Sequence, residues 1–233
     1  VARQLDRVRL FESGLSFVQQ GEELVQEPML AGLVYGPLQH EQWGEGSRKV
    51  DFYYLKGDVE AIISQTGEPD SFEFQRIDDP ALHPGQAARI MRGELEVGRL
   101  GMLHPAIQSK LDLAGNVFVF QLALNALSDR KLPAFQPLSK FPAIRRDLAL
   151  LVAEKVPGGA VLACARKASP AIVQDIRIFD VYTGEKIESG RKSLALGLIL
   201  QASSHTLTDE DVEDTVSAVL KRLESEFDAR LRD

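Results

Sequence analysis

The sequence KFPAIRRDLALLV (residues 140–152) opens a segment in which three short apolar runs follow one another. The second run is IVQDIRIFDVYTG (residues 172–184), and the third is KSLALGLILQ (residues 192–201). Each run is rich in aliphatic residues and is bounded by Gly, Pro or charged residues, a pattern typical of β-strands. The segment from Lys140 to Ser204 therefore predicts three strands of one sheet.

The third run alternates with a period of two, which places four leucines on one face of its strand, at positions 194, 196, 198 and 200. Its other face carries Ser193, Ala195 and Gly197. In the first run Leu148, Leu150 and Val152 share one face, and Arg145, Asp147, Ala149 and Leu151 share the other. The pattern predicts a sheet with one apolar face that helices cover and one open face with cations at its margin.

Two helices are available to cover the apolar face. Residues 157–168 begin with a proline, which the first turn of a helix tolerates, and contain apolar residues at helical spacing. Residues 208–227 begin with Thr208 as N-cap and with acidic residues at 209–211 that complement the helix dipole. With a short last strand at 229–232, the order is β-α-β-β-α-β, which is ferredoxin-like.

The first part of the chain has a different pattern, that of an antiparallel sheet with helices, an α+β layout. The predicted strands are 8–12, 15–20, 29–35, 72–77, a hairpin that turns at Gly93-Glu94, and 117–127. Helices are predicted at 51–65, with Asp51 as cap, and from His104 to about Leu113. Ser13-Gly14 is interpreted as a tight turn, and residues 128–140, with Pro133 and Pro137, as a linker.

Composition excludes several classes of protein. The chain has 233 residues and a net charge of −7, which argues against nonspecific coating of nucleic acid, although residues 140–192 carry ten Lys or Arg against six Asp or Glu. No apolar run reaches the length of a membrane span. The single cysteine fits a reducing, cytoplasmic compartment. Because the chain starts at Val1 without Met, we expect it to be part of a longer protein.

We find no independent active site in the sequence. His83 and His104 lack a second ligand at helical spacing and are interpreted as turn or capping residues, so no metal site is predicted. Cys164 has no base beside it and is expected to be a buried small apolar residue. Acidic residues at 209–211 are interpreted as a helix start, and no phosphate-binding loop is present. No catalytic residue is therefore assigned.

Several motifs make the chain resemble a known family. FPAIRRDLAL (141–150), FDVYTG (179–184), GRKSLAL (190–196) and TLTDE (206–210) resemble the C-terminal end of the bacterial phenylalanyl-tRNA synthetase β subunit. RLFESG (9–14), DFYYLKG (51–57), HPG (83–85) and GMLHP (101–105) resemble the module that precedes it. The chain departs from the family at Ala202 and His205, where Asp and Arg are usual, and at Phe227-Asp228, where Phe-Gly is usual.

The resemblance implies two domains. Residues 1–138 would be a catalytic-like module with the class II synthetase fold and no activity, and residues 139–233 a ferredoxin-fold anticodon-binding domain. The implied partners are tRNA(Phe) and the catalytic α subunit, in an α2β2 heterotetramer, with no DNA and no membrane. No cofactor is expected in this chain, and ATP and Mg²⁺ are expected for the whole enzyme. Trp43, Phe52 and Tyr53 are our candidates for the subunit contact, although a shielded loop anchor is the favoured interpretation of Trp43.

The resemblance also assigns the candidate site. Tyr182 would stack on the first anticodon base and Asp180, on the same strand face, would accept a hydrogen bond from the edge of that base. Ser193 would also face the anticodon. Arg145 and Arg146 are candidates for phosphate contacts, because the planar guanidinium pairs bidentately with phosphate.

Without the family, these residues have simpler interpretations. Asp180 and Tyr182 could form a strand-end turn, and the two arginines could pair with Asp147 or Glu154. A ferredoxin-like module that binds a regulatory amino acid, and a chain that is itself a synthetase, are the alternative functions. By resemblance to class II synthetases, which bind ATP phosphates with arginines, Arg9 lies in an equivalent-looking early strand, but Phe11-Glu12 follows without the second arginine.

Overall fold

Two antiparallel sheets organise the chain, one of six strands and one of four. The computed structural model describes all residues except 1–4, 133, 136, 186 and 233. Each sheet belongs to its own compact unit, Val1–Ala134 or Phe135–Asp233. The domain boundary that we predicted after residue 138 lies a few residues beyond the boundary between these two units. Both positions fall in the predicted linker, in which Pro133 lies outside the described residues.

The first unit is built on the six-stranded sheet. Its elements in chain order are β1 (Val8–Gln20), β2 (Glu23–Tyr35), α1 (Phe52–Ser64), a 3-10 turn (Pro69–Ser71), β3 (Phe72–Arg76), β4 (Leu82–Arg92), β5 (Leu95–Leu103), α2 (Pro105–Lys110), β6 (Val117–Ala123) and α3 (Leu124–Ser128). The strand order is β1-β2-β6-β5-β4-β3. Helix α1 buries Leu55, Val59 and Ile63 against a core to which the sheet contributes Leu100 and Phe118. The Asp51 carboxylate caps α1 by accepting a hydrogen bond from the backbone N–H of Tyr54 at 2.8 Å, as predicted.

Two predictions for the first unit were wrong. Ser13-Gly14 is not a turn, because β1 is one continuous strand in which Gly14 pairs with Met29 of β2. The chain turns instead at Gly21, whose φ of +62° lies in the left-handed region that glycine adopts without strain. The predicted strand at 117–127 ends at Ala123, where a short helix begins.

The second unit has the predicted β-α-β-β-α-β order. Its elements are β7 (Ile144–Ala153), α4 (Gly158–Ala168), β8 (Val173–Tyr182), β9 (Arg191–Leu200), α5 (Asp209–Phe227) and β10 (Arg230–Leu231). The strands lie in the order β10-β7-β9-β8, and all pairs are antiparallel. This arrangement is the ferredoxin-like fold.

One face of this sheet is buried under the two helices. The four leucines of β9 at 194, 196, 198 and 200 are almost fully buried. Leu194, Leu196 and Leu198 pack in one cluster with residues of α4 and α5 such as Val161, Val219 and Leu223. Leu200 packs in a second cluster with Val212 of α5. Thr208 caps α5 in a capping box with Asp211, whose side chain accepts from the Thr208 backbone N–H at 2.9 Å. The apolar face predicted from period-two alternation is therefore confirmed.

Several residues outside this sheet also bear on the predictions. Trp43 is 103% exposed, so the interpretation as a shielded loop anchor was wrong. Cys164 is buried on α4, as predicted. His83 and His104 accept hydrogen bonds through Nδ1 from the backbone N–H groups of Gly85 and Ala106, at 3.0 and 3.1 Å, which confirms their turn and capping roles. None of the helices in the described part of the chain is long and apolar enough to cross a membrane.

Candidate functional site

The face of the second sheet opposite the helices has a floor of small residues. Ala149 of β7 pairs with Ala195 of β9, and Gly197 of β9 pairs with Asp147 of β7. Long side chains from the flanking strands lie over this floor instead of a helix. We call this surface the open face, and we define it by these four residues together with the side chains that cover them, Arg145, Phe179, Asp180, Tyr182 and Arg232.

Because Gly197 of β9 has no side chain, Arg145 of β7 and Phe179 of β8 can contact each other across this strand. A Cβ at this position would lie 3.3 Å from Asp147 Oδ1 and 3.5 Å from both Arg145 Nη2 and Phe179 Cδ1. The Arg145 guanidinium lies over the Phe179 ring, with Cζ 5.1 Å from the ring centroid. Arg145 Nε also donates to Asp147 Oδ1 at 2.7 Å. The predicted pairing of Arg145 with Asp147 is therefore present, and an unpredicted stack accompanies it.

A β-bulge turns Phe179 onto the open face together with Asp180. The register of β8 against β9 shifts between Ile178 and Asp180, so that Asp180 pairs with Ala195 and Tyr182 with Ser193. Asp180 and Tyr182 therefore share a face, as predicted. Strict alternation would place Phe179 on the opposite side, so its position on the open face could not be predicted from the sequence pattern.

Tyr182 lies at the end of β8 and is 40% exposed. Its ring is contacted by Arg232, whose Cζ lies 5.1 Å from the ring centroid. Gly184 packs against the other end of the side chain, where a Cβ would lie 2.1 Å from the tyrosine hydroxyl oxygen. The ring is thus held on the open face and is not turned into the interior.

The remaining predicted residues differ in accessibility. Asp180 is exposed, and within the described residues its carboxylate has no hydrogen bond or ion pair. Ser193 is only 4% exposed, in register between Leu151 and Tyr182. Arg146 is exposed but pairs with Leu198, so its side chain lies on the helix side of the strand, opposite Arg145. The structure therefore brings Asp180, Tyr182 and Arg145 onto one face and separates Arg146 from them.

Acidic side chains hold further arginines at the margin of the open face. Arg177 Nε donates to Asp175 Oδ2 at 2.9 Å. Arg191 and Arg230 both pair with Asp228, with nitrogen to oxygen distances of 2.5 and 3.3 Å. The hydrogen bond from Arg191, and then that from Arg230, lowers the pKa of the Asp228 carboxyl below its usual value.

The residues at which the chain departs from the family pattern lie at the two ends of α5 and in a small buried cluster. Asp228 adopts a left-handed conformation, with φ of 49°, at the end of α5, which is where glycine is favoured. Ala202 is buried in a small cluster with Leu200 and Leu207, so it presents no polar group. His205 Nε2 lies 3.5 Å from Asp211 Oδ2, at the start of α5.

No catalytic or metal site is evident in the described part of the chain. It contains no group of three or more His, Cys, Asp or Glu side chains that could hold a metal ion. The Arg9 guanidinium makes hydrogen bonds within the first unit, donating to the backbone carbonyls of Tyr35 and Pro37 at 3.0 and 3.1 Å. It also lies over the Tyr54 ring, with Cζ 5.1 Å from the centroid. This arginine therefore fixes the start of β1.

Both units match known families. Residues 1–124 match the family described as "Phenylalanyl tRNA synthetase beta chain CLM domain", and residues 139–232 match the "Ferredoxin-fold anticodon binding domain". Among solved structures, pyrrolysyl-tRNA synthetase from Desulfitobacterium hafniense has a TM-score of 0.40 and 18% identity, covering 55% of this chain and 43% of that chain. This structural likeness is too remote to support a conclusion.

Curated relatives match over the whole chain. The "Phenylalanine--tRNA ligase beta subunit" of Methylococcus capsulatus is 48% identical over 233 residues, covering 100% of this chain and 29% of that protein. The proteins of the same description from Nitrosococcus oceani and Pseudomonas syringae are 48% and 49% identical, and each alignment covers 99% of this chain and 29% of the relative. The chain thus spans less than a third of the length of these relatives.

Proposed function

Because the chain belongs to the family of the phenylalanyl-tRNA synthetase β chain, we propose that its second unit binds the anticodon of tRNA(Phe) on the open face. The observation that carries the proposal is a sheet face that lies opposite the helices and presents two partly exposed aromatic rings. Beside them lies the Asp180 carboxylate, which has no ion pair among the described residues. Sequence-specific RNA readers stack unpaired bases on such rings and read base edges with hydrogen bonds. The whole protein would support attachment of phenylalanine to tRNA without a complete active site in this chain.

Each side chain of the open face has a distinct role in this proposal. Tyr182 stacks on the first anticodon base, and Asp180 accepts a hydrogen bond from a donor on the edge of that base. Phe179, 50% exposed, offers a second stacking surface on the exposed part of its ring, beside the Arg145 guanidinium that lies over it. Arg145 also brings a positive charge to the RNA backbone, because a guanidinium can pair with a phosphate while it stacks on a ring.

Two of the predicted residues have less direct roles. Ser193 contacts the RNA only if its neighbours shift, since it is nearly buried. Arg146 can reach a phosphate only around the edge of the sheet, since its strand position directs it to the helix side. We therefore expect substitutions at these two positions to weaken binding less than substitution of Tyr182.

For the first unit we propose assembly with a catalytic α subunit, in an α2β2 enzyme that uses ATP and Mg²⁺ in the cytoplasm. Exposed aromatic side chains support this role, because Trp and Tyr are enriched in interface hot spots. Trp43 is fully exposed and Tyr53 is largely exposed, with its ring 5.5 Å from that of Phe52. The distal part of the β1–β2 hairpin adds exposed Leu15 and Phe17.

The alternative of an amino-acid sensor is not favoured, since the family match of the second unit describes anticodon binding. The experiment that tests the proposal uses the enzyme reconstituted with an α subunit and a β subunit carrying Tyr182→Ala. We expect weaker tRNA charging and unchanged ATP–pyrophosphate exchange, because the anticodon contact is remote from amino-acid activation. Equal loss in both assays would refute the anticodon role. Val181→Ala, on the other face of the same strand, is the matched control.

A further inference from the structure

The cations of the open face differ in how their charge is balanced. Four arginines each have a carboxylate partner, namely Arg145, Arg177, Arg191 and Arg230. Arg232 has none among the described residues, and its guanidinium contacts the Tyr182 ring instead. Among these five arginines, Arg232 is therefore the one whose charge no carboxylate of the described residues balances.

The backbone fixes where Arg232 starts. Its N–H donates to the carbonyl of Ala149 at 2.8 Å, which continues the pairing of β10 with β7. Because Arg230 pairs with Leu151, Arg232 two residues later lies on the same side of the sheet, the open face. From this edge strand its side chain extends over β7 and β9 to reach Tyr182 on β8. A long side chain thus spans the surface on which the RNA is proposed to lie.

We propose that Arg232 covers the Tyr182 ring in the free protein, that a stacking nucleobase displaces it, and that the released guanidinium then contacts an RNA phosphate. This inference rests on the proposed function. A base and a guanidinium cannot occupy the same ring face, and Gly184 packs against the hydroxyl end of the side chain. A base that stacks on the ring face under Arg232 therefore has to replace the guanidinium that lies there.

Displacement of the Arg232 guanidinium from the Tyr182 ring by a base costs little free energy. A cation over an exposed tyrosine ring is held weakly, so removal of the cover should strengthen stacking by about two- to fivefold. The phosphate contact of the released Arg232 instead strengthens RNA binding, and its contribution decreases as the salt concentration rises. One such contact contributes about 0.7 to the slope of log K against log salt for single-stranded RNA. Arg232 therefore opposes stacking and favours phosphate binding, and salt shifts the balance between the two.

The test measures the affinity of the 233-residue chain for an unmodified RNA stem-loop with the phenylalanine anticodon, from low to high salt. For Arg232→Ala we expect a slope reduced by about 0.7, with weaker binding than the wild type at low salt. At high salt the variant should bind about two- to fivefold more tightly, so that the two curves cross. Arg232→Lys should keep the wild-type slope. Arg222→Ala, an arginine of α5 paired with Glu226, is the matched control and should change neither quantity.

Three outcomes separate the inference from the proposed function. If Tyr182→Ala weakens binding but Arg232→Ala has the same slope as Arg222→Ala, this inference is wrong and the anticodon proposal stands. If the slope is reduced but Arg232→Ala binds more weakly than the wild type at every salt concentration, Arg232 contacts a phosphate but does not cover the ring, and the displacement is wrong. If the wild type and Tyr182→Ala bind the stem-loop equally, both proposals fail, because no base then stacks on that ring.

Discussion

Replacement of Phe179 by leucine separates the stability of the second unit from its proposed RNA binding. The ring is half-exposed and lies against the Arg145 guanidinium and Gly197. Of roughly 200 Å² of aromatic surface, about half is therefore buried, and leucine restores most of that apolar contact. The stacked cation adds about 0.5–1 kcal/mol. We expect the free energy of unfolding to fall by about 1 kcal/mol.

The effect on RNA binding should be larger. Loss of one stacking ring costs on the order of 1–3 kcal/mol, which is about a five- to 150-fold increase in Kd for the anticodon stem-loop. Urea unfolding measures the first quantity, and fluorescence anisotropy with labelled stem-loop measures the second. A stem-loop without the anticodon bases should bind the wild type and the variant equally.

Val181→Ala is the matched control for this prediction. Val181 is 55% exposed and neighbours Asp180 in the same strand, but its pairing with Leu194 places it on the opposite side of the sheet. The control should leave Kd within twofold of the wild type. A Phe179→Leu chain that folds and binds RNA as tightly as Val181→Ala would refute the assignment of Phe179 to the binding surface.

Three other predictions concern stability and assembly. Leu196→Ala should lower the free energy of unfolding of the second unit by about 2–5 kcal/mol in urea titrations, because Leu196 is fully buried; a smaller loss would mean that the helices do not cover this face. Because the pKa of Asp228 is lowered, mainly by Arg191 and then by Arg230, its charge stabilises the fold above about pH 4 and this contribution disappears as the pH falls through the lowered pKa. The difference in Tm between the wild type and Asp228→Asn should therefore shrink below pH 4, and a constant difference would contradict the ion pairs. Trp43→Ser should change the free energy of unfolding by less than about 0.5 kcal/mol but weaken co-purification with an α subunit, and unchanged co-purification would exclude Trp43 from the contact.

Local patterns predicted the second unit well because its sheet has one buried face. The alternation of leucines in β9 determines which residues pack under the helices, and the N-cap at Thr208 marks the start of α5. A shift of one residue would expose every leucine, so the register is strongly specified by the sequence. The same argument predicted that Asp180 and Tyr182 share a face.

The errors occurred where long-range contacts decide the structure. Gly14 resembles a turn residue locally, yet pairing with β2 keeps it extended. The bulge at Phe179 depends on how β8 fits against β9, which no local pattern encodes. Trp43 is fully exposed, because the hydrophobicity of a residue favours burial without specifying what would cover it.

The central claim is that the open face recognises the anticodon bases, and it is tested most directly by competition between two RNA stem-loops. One carries the phenylalanine anticodon and the other has its first anticodon base altered, and each is titrated against the wild-type chain at several salt concentrations. We predict that the phenylalanine stem-loop binds more tightly by about 1.5–3 kcal/mol, because the Asp180 carboxylate accepts a hydrogen bond from the edge of the first base. This preference should persist at high salt and disappear in Asp180→Ala. Equal affinity of the wild-type chain for both stem-loops at every salt concentration would contradict the account.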